Sequence, residues 1–450
     1  MPNKFCVIIL FWIICSLSIE AQDLFESLTS EKDSQENESS FALTGYVRGS
    51  AYGGADDFDF SNLFGEFALQ GRLSGGNTLL YGDARIRNGL FFDDRQTILE
   101  LKEAYAAYRD ENVSFYLGNQ IVSWGRTDGF NPTNNITPND YFFLTPEPDD
   151  RLMSNFMLRS KIRFTQNTEL NLIAIPVFKK SNYRYDLFDM GDEAHFVETV
   201  IPEVKLKNSS FAARMSVDLP AIGFSASYFH GYDPFYGFRV EDVQILPTVS
   251  IDYIADFYKK DAIGADFVLP VQNSIVRGEI AYNHTDDYRD NMHIPNPDLS
   301  YVFGFEHRLF EITSIFQYVG KYTFDFEELE APTMPFPFDQ DAMYQYAIDR
   351  IDYESNRFNS KVFHQQEEFN HAFMINLNRF FAYETIEAGL TGYYNITSEE
   401  YMIRPNVNWK LTDELTANAG ASLMYGKDES IYDMAGKVLN GVYISLKASF

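Results

Sequence analysis

The chain has only two cysteines, Cys6 and Cys15, and both fall in a segment that reads as a cleaved leader. Past that point no disulfide framework and no thiolate metal site can form. Long hydrophobic runs are missing too: after Gln22 nothing approaches the roughly 20 consecutive apolar residues that a membrane helix needs. Positive charge is scarce, with 36 Lys and Arg against 65 Asp and Glu and a formal charge of −29. Such a balance speaks against a nucleic-acid partner, because a phosphate polymer would be repelled. No phosphate-binding glycine loop, zinc-spaced histidine pair, nucleophile elbow or EF-hand loop is present, so no cofactor, resident metal or catalytic residue is expected. His230, with Ser227 and Asp233, comes nearest to a hydrolase triad, but three residues along one strand end cannot converge on a substrate. The acidic runs Thr285–Asp290 and Phe324–Glu330 offer oxygen ligands of the kind calcium takes, and read more simply as solvated loops.

What is present points to export and to strands. Lys4, the apolar stretch Phe5–Leu17 and the small Ala21 mark residues 1–21 as a signal peptide. Residues 22–40 are polar and acidic and read as a periplasmic arm, leaving 41–450 as one unit without linkers or solenoid repeats. Aromatics make up 16% of the chain, with 41 Phe and 29 Tyr, while the mean hydropathy is −0.26. Strands with one lipid face and one wet face have that combination.

Polarity alternates along segments of about ten residues, as tilted membrane strands require. Leu80, Gly82, Ala84 and Ile86 share one face, and Asp83, Arg85 and Arg87 the other. Phe156, Leu158, Ile162 and Phe164 oppose Arg159, Lys161 and Arg163 in the same way. Connections alternate as well. Short turns at 74–77, 109–112, 165–168, 219–223, 269–273, 379–382 and 412–414 are interleaved with long acidic or Pro-rich loops at 125–150, 180–195, 232–244, 285–297 and 325–359. The fold expected is therefore all-β: a transmembrane antiparallel barrel of about 18 strands with long extracellular loops. In the last segment Val442, Ile444, Leu446, Ala448 and Phe450 alternate with polar neighbours, and a terminal Phe450 resembles the signal read by the barrel-insertion machinery of the outer membrane.

The segment Gly118–Pro132, together with Tyr228–Asp233, Gly264–Phe267 and Arg277–Tyr282, resembles a family of porin-like outer-membrane barrels. Members are often encoded beside exporters of the resistance-nodulation-division type and look like relatives of the alginate-export channels. The likeness covers residues 41–323 and leaves the acidic loop 325–359 unmatched. It implies a Gram-negative outer membrane, contact with its lipid and lipopolysaccharide, transport of a lipid-like or other bulky solute, and an inner-membrane exporter as a partner.

From parity alone, a ladder of Arg85, Arg87, Arg159, Lys161, Arg163, Arg277 and Arg404 faces Asp83, Glu103, Asp266 and Glu279 inside the barrel. Such a ladder would set a transverse field that selects by charge, or would pair across the wall and stiffen it. The segment Trp124, Arg126, Asp128, Asn131 and Pro132 leaves a strand and is expected to fold into the mouth as a constriction. Passage of a solute is the function expected. A plugged barrel delivering a hydrophobic molecule along Phe130, Tyr141, Phe142 and Phe143 is the alternative, and an outer-membrane hydrolase a third.

Overall fold

The computed structural model describes residues 39–54, 59–188, 191, 193–197, 199–245, 249–336 and 339–450; the leader 1–21 and residues 22–38 of the arm lie outside them. Strands β1 (Ser40–Gly54), β2 (Phe60–Gly75), β3 (Thr78–Phe91), β4 (Asp94–Arg109), β5 (Val113–Gln120), β6 (Asn155–Thr165) and β7 (Thr168–Ile175) follow one another round a wall. A short strand off the wall, β8 (Ala194–Phe196), precedes β9 (Ser210–Asp218) and β10 (Gly223–Tyr232). Two more off the wall, β11 (Gly237–Gln244) and β12 (Ser250–Asp256), precede β13 (Lys259–Val271), β14 (Ser274–Thr285), β15 (Asp298–Leu309) and β16 (Ile312–Thr323). The wall ends with β17 (Phe369–Phe381), β18 (Ile386–Asn395), β19 (Glu400–Lys410), β20 (Leu415–Tyr425) and β21 (Gly441–Ser449).

Each wall strand pairs antiparallel with the next, and β21 pairs back onto β1, which closes an 18-stranded barrel without an edge. Closure matters because an open edge would leave unpaired backbone groups. At the seam, Gly45 and Phe450 exchange two backbone hydrogen bonds of 2.9 Å, and the Phe450 ring lies over Gly45, where a Cβ would collide with it.

Period two sorts the side chains as expected. Leu80, Ile86, Leu117, Phe156, Leu158, Phe316, Val442 and Ile444 stand exposed on the outside, whereas Arg48, Glu66, Asp83, Arg85 and Arg87 are buried inside. An apolar belt of that extent is not sustained in water, and the polar groups that would face water in a soluble protein form the interior. One bulge breaks the alternation usefully. Asp83 pairs with Glu103 and Ala84 with Leu101, so Lys102 is the extra residue and both Lys102 and Glu103 turn inward.

The two ends differ. Two-residue connections such as 76–77, 166–167, 272–273 and 310–311 lie at the end where β1 begins and β21 finishes, and the long connections lie at the other. The turn at 310–311 is one that composition does not announce: Phe310 and Glu311 both take positive φ, at 48° and 66°. At the loop end the connections fold into a cap. Strands β11, β12 and β8 form a three-stranded sheet, and Tyr185, Phe188, Tyr236, Phe238, Tyr253 and Phe358 pack with Phe142 into one aromatic core.

The stretch 325–359, expected to be loop, carries instead most of a helix, Gln340–Val362. Asp339 caps its first turn by accepting from the Ala342 N–H, and Ile351, Ser355, Phe358, Asn359 and Val362 form its buried face. That stripe follows the helical period, but Ser355 and Asn359 dilute its apolar signal. Among the described residues no helix is long and apolar enough to cross a membrane.

Candidate functional site

The connection between β5 and β6, residues 121–154, folds into the barrel. Its first part sits on an apolar patch of the wall, where Val122, Trp124 and Ile136 pack with Met157, Ile173, Ala212, Phe229 and Ala262. From there the chain turns across the lumen with Gly125 at φ +108° and Gly129 at φ +99°, values that glycine adopts without strain. At the tip, Phe130 stacks on Tyr393 of β18 with centroids 5.2 Å apart. Nine wall strands separate β5 from β18 one way round and seven the other, so the loop reaches the opposite side.

Glu279 of β14 anchors this crossing. Its carboxylate accepts from the Thr127 N–H (2.7 Å), the Thr127 hydroxyl (2.8 Å), the Thr133 hydroxyl (3.0 Å) and the Arg126 N–H. The Arg126 guanidinium bonds Asp266 and Asp218, each at 2.6 Å. Asp128 bonds Arg277 at 2.8 Å, and Arg277 also holds Glu306 at 2.7 Å. Burial pushes the Asp128 carboxyl up against the opposing pull of Arg277. Asn131 lies beside Thr127 and Glu279, and Pro132 follows it in the same turn.

The returning half of the loop presses on the wall near the closure seam. Asp150 bonds Arg48 and Arg85, each at 2.7 Å, and Glu147 bonds Lys447 at 2.8 Å. Lys102 donates to the Asp150 carbonyl at 2.6 Å. Beneath them Glu66 accepts from Arg48 at 2.8 Å and from Tyr46 at 2.6 Å, and pairs with Arg87, which also pairs with Glu100. Arg85 pairs with Asp83 at 3.0 Å, and Arg87 lies 4.1 Å from the Phe143 ring centroid. Burial alone would raise the Asp150 carboxyl, but the guanidiniums of Arg48 and Arg85 prevail and hold it at about 2.

The structure therefore divides the inward charges. Asp83, Arg85 and Arg87 lie under the loop in a buried network. Asp266, Arg277 and Glu279 bind the loop, and Glu103 accepts from the Ile121 N–H at 2.8 Å where the loop begins. Arg159, Lys161, Arg163 and Arg404 take no part in holding it. Arg159 donates to Asn171 at 3.2 Å and lies against the Tyr116 ring; Lys161 pairs with Glu169 at 3.1 Å. Lys161, Arg163 and Arg109 border a hollow of about 290 Å³ at the short-turn end, together with Glu169, Asp110 and Glu111.

Arg48, Glu66, Lys102, Asp150, Thr127 and Thr133 were not singled out by sequence reasoning. Arg48 and Glu66 have the inward parity of recognisable strands and could have been found that way. Lys102 required the bulge, and Asp150 required the path of the loop. Ser227 and His230 do not come together: Ser227 points inward, while His230 bonds Asp261 at 2.9 Å on the outward face. Asp325 is engaged by Tyr288 and Arg289, and among the described residues no three acidic or histidine side chains are grouped as metal ligands.

No protein-family model matches this chain, and no curated protein matches it. Solved structures share its fold. OccAB3 of Acinetobacter baumannii superposes with a TM-score of 0.53 at 9% identity over 92% of this chain and 99% of that one. OccK3 (OpdO) of Pseudomonas aeruginosa gives 0.52 at 10% identity, over 91% and 95%. OccD3 (OpdP) of the same organism gives 0.51 at 10% identity, over 91% and 90%.

Proposed function

We propose that this protein is an outer-membrane channel through which a small solute passes beside the in-folded loop. The observation that carries the reading is the loop itself: residues 121–154 cross a closed, polar-lined barrel and are fastened to the far wall by Glu279 and Tyr393. A loop inside a barrel narrows a path without closing the wall. The apolar outer belt supports a bilayer location, with lipid and lipopolysaccharide around it, and the alternation of β21 supports delivery by the barrel-insertion machinery.

Arg159, Lys161 and Arg163, uncommitted to the loop, are the groups that would bias the path toward anions. Refolded chain in a planar bilayer is expected to give stable ohmic steps. The double variant Arg159→Ala/Arg163→Ala is expected to lose anion preference in reversal-potential measurements; unchanged selectivity would remove the basic wall from the mechanism. A second reading, delivery of a hydrophobic molecule received from an inner-membrane exporter, draws on the aromatic core around Phe142 and the stacked pair Tyr141–Tyr183. An inserted but silent barrel would favour it.

A further inference from the structure

Between Tyr393, where the loop tip meets the wall, and the short-turn end, β17, β18 and β19 turn uncharged polar groups to the interior. The register sets them in rows. Asn376 of β17 pairs with Thr391 of β18, and in the next row Asn378, Gly389 and Asn406 stand side by side across the three strands. Asn408 follows Asn406 two residues on, so it shares that face, while Leu390, Ile403 and Val407 stand exposed on the other. The four asparagines and Thr391 are half-buried. Among the described residues no hydrogen bond, ion pair or ring contact ties them to the in-folded loop.

Gly389 is what lets two of these side chains meet. A Cβ there would collide with the amide oxygens of both Asn378 and Asn406, so the two carboxamides lean together over its backbone. Asn378 donates to Asn376 Oδ1 at 3.2 Å, and no described residue hydrogen-bonds the Asn406 side chain. A carboxamide has two N–H donors and two acceptor lone pairs, so both kinds of capacity are left over. Phe380, the next inward position on β17, is 44% exposed. The same rows hold one charge of each sign, Arg404 beside Thr391 and Glu387 between Phe380 and Asn408. A permeant ion therefore meets little net field here, whereas a hydroxyl, donor and acceptor at once, matches the amides. From Asn376 to Phe380 the strip runs about 13 Å, and from β17 to β19 about 10 Å, the footprint of one or two sugar rings.

We propose that this strip binds a neutral polyhydroxylated solute, a mono- or disaccharide. Its hydroxyls bond the carboxamides of Asn376, Asn378 and Asn406, and its C–H face lies on the negative face of the Phe380 ring. The site rests on the channel reading and deepens it. β18 lies on the opposite side of the barrel from β6, so the basic wall and the amide strip act on different solutes.

The test uses the full chain in a planar bilayer, with maltose as probe and polyethylene glycol of matched size as its comparison, each added to the two sides in turn. Maltose is expected to lower the ion current along a saturating curve and to add current noise, whereas the glycol lowers the current in proportion to its concentration. Asn378→Ala/Asn406→Ala is expected to raise the half-saturating maltose concentration roughly tenfold, as the loss of two ordinary hydrogen bonds would. Phe380→Ala, at an exposed position where folding is not at stake, is expected to raise it several-fold. A maltose effect that does not saturate, a saturating effect of the glycol as well, or a half-saturation that neither variant moves overturns the site while leaving the channel standing. An inserted chain that passes no ions at all removes the channel reading, and this site with it.

Discussion

Arg48 and Glu66 are 1% and 2% exposed, yet both are charged, and their burial holds because every charge around them meets an opposite one. Taking one partner from such a buried pair typically costs about 3–5 kcal/mol, since the charge left behind is unpaired. Asp150 is the member supplied by the loop, so its removal acts on the loop first. Asp150→Ala is expected to leave the barrel folded and free the returning half of the loop, seen as increased open-channel noise and faster proteolysis within 140–154. The pH dependence follows from the same contacts. A carboxyl whose folded value is depressed to about 2 from an ordinary 3.9 or so stabilises the latch above pH ~4, by a few kcal/mol at most. That stabilisation fades as pH falls through 4 toward 2, so noise in the wild-type channel should rise there and not between pH 5 and 8. Glu279 fastens the other half, and Glu279→Ala leaves the Thr127 and Arg126 amides without their acceptor. Its conductance is expected to rise and fluctuate at neutral pH.

At the scale of elements, the helix Gln340–Val362 depends on the cap more than on its own sequence. Asn359 shows how it is held: its side chain donates to the Phe238 carbonyl at 2.7 Å and accepts from the Phe238 N–H at 2.8 Å, both deep in the aromatic core. Asn359→Ala leaves two buried backbone groups on β11 unpaired, each costing about 1–3 kcal/mol. Limited proteolysis should then cut the 325–362 region sooner while the trypsin-resistant barrel fragment persists. An unchanged digestion pattern would mean that the ring contacts of Phe358 alone hold the helix. The cap is also where alternation fails as a guide. β8, β11 and β12 form a small sheet whose register is fixed by packing on Tyr185 and Phe358 rather than by a lipid face and a wet face.

For the whole molecule, the arrangement is a polar interior inside an apolar belt, with a cap at one end and short turns at the other. Deleting the crossing segment 125–131 and joining its ends with two glycines is expected to raise single-channel conductance several-fold, because this segment carries the chain across the lumen to Tyr393. If conductance stays the same, the cap and not the loop limits flow. The hollow where Arg109, Lys161 and Arg163 stand among Asp110, Glu111 and Glu169 lies at the opposite end from the cap, so replacing its cations by alanine should change ion selectivity without changing the noise that Asp150 controls.

Period-two patterning and the spacing of turns were enough, from sequence, to specify an even-numbered antiparallel barrel, its inward and outward faces and its short-turn end. These are local properties: side-chain parity follows from strand geometry, and the side of the wall that meets lipid must be apolar whatever the rest of the chain does. Which inward charges stand along the lumen and which are consumed in holding the loop was not legible, because Asp83 and Arg159 have the same parity and the same kind of neighbours in sequence. Only the tertiary structure decided that, by laying residues 121–154 across one part of the wall and leaving another uncovered. The helix within 325–359 belongs to the same class. It depends on what lies opposite in space, and contacts between residues far apart in the chain leave no periodic trace in it.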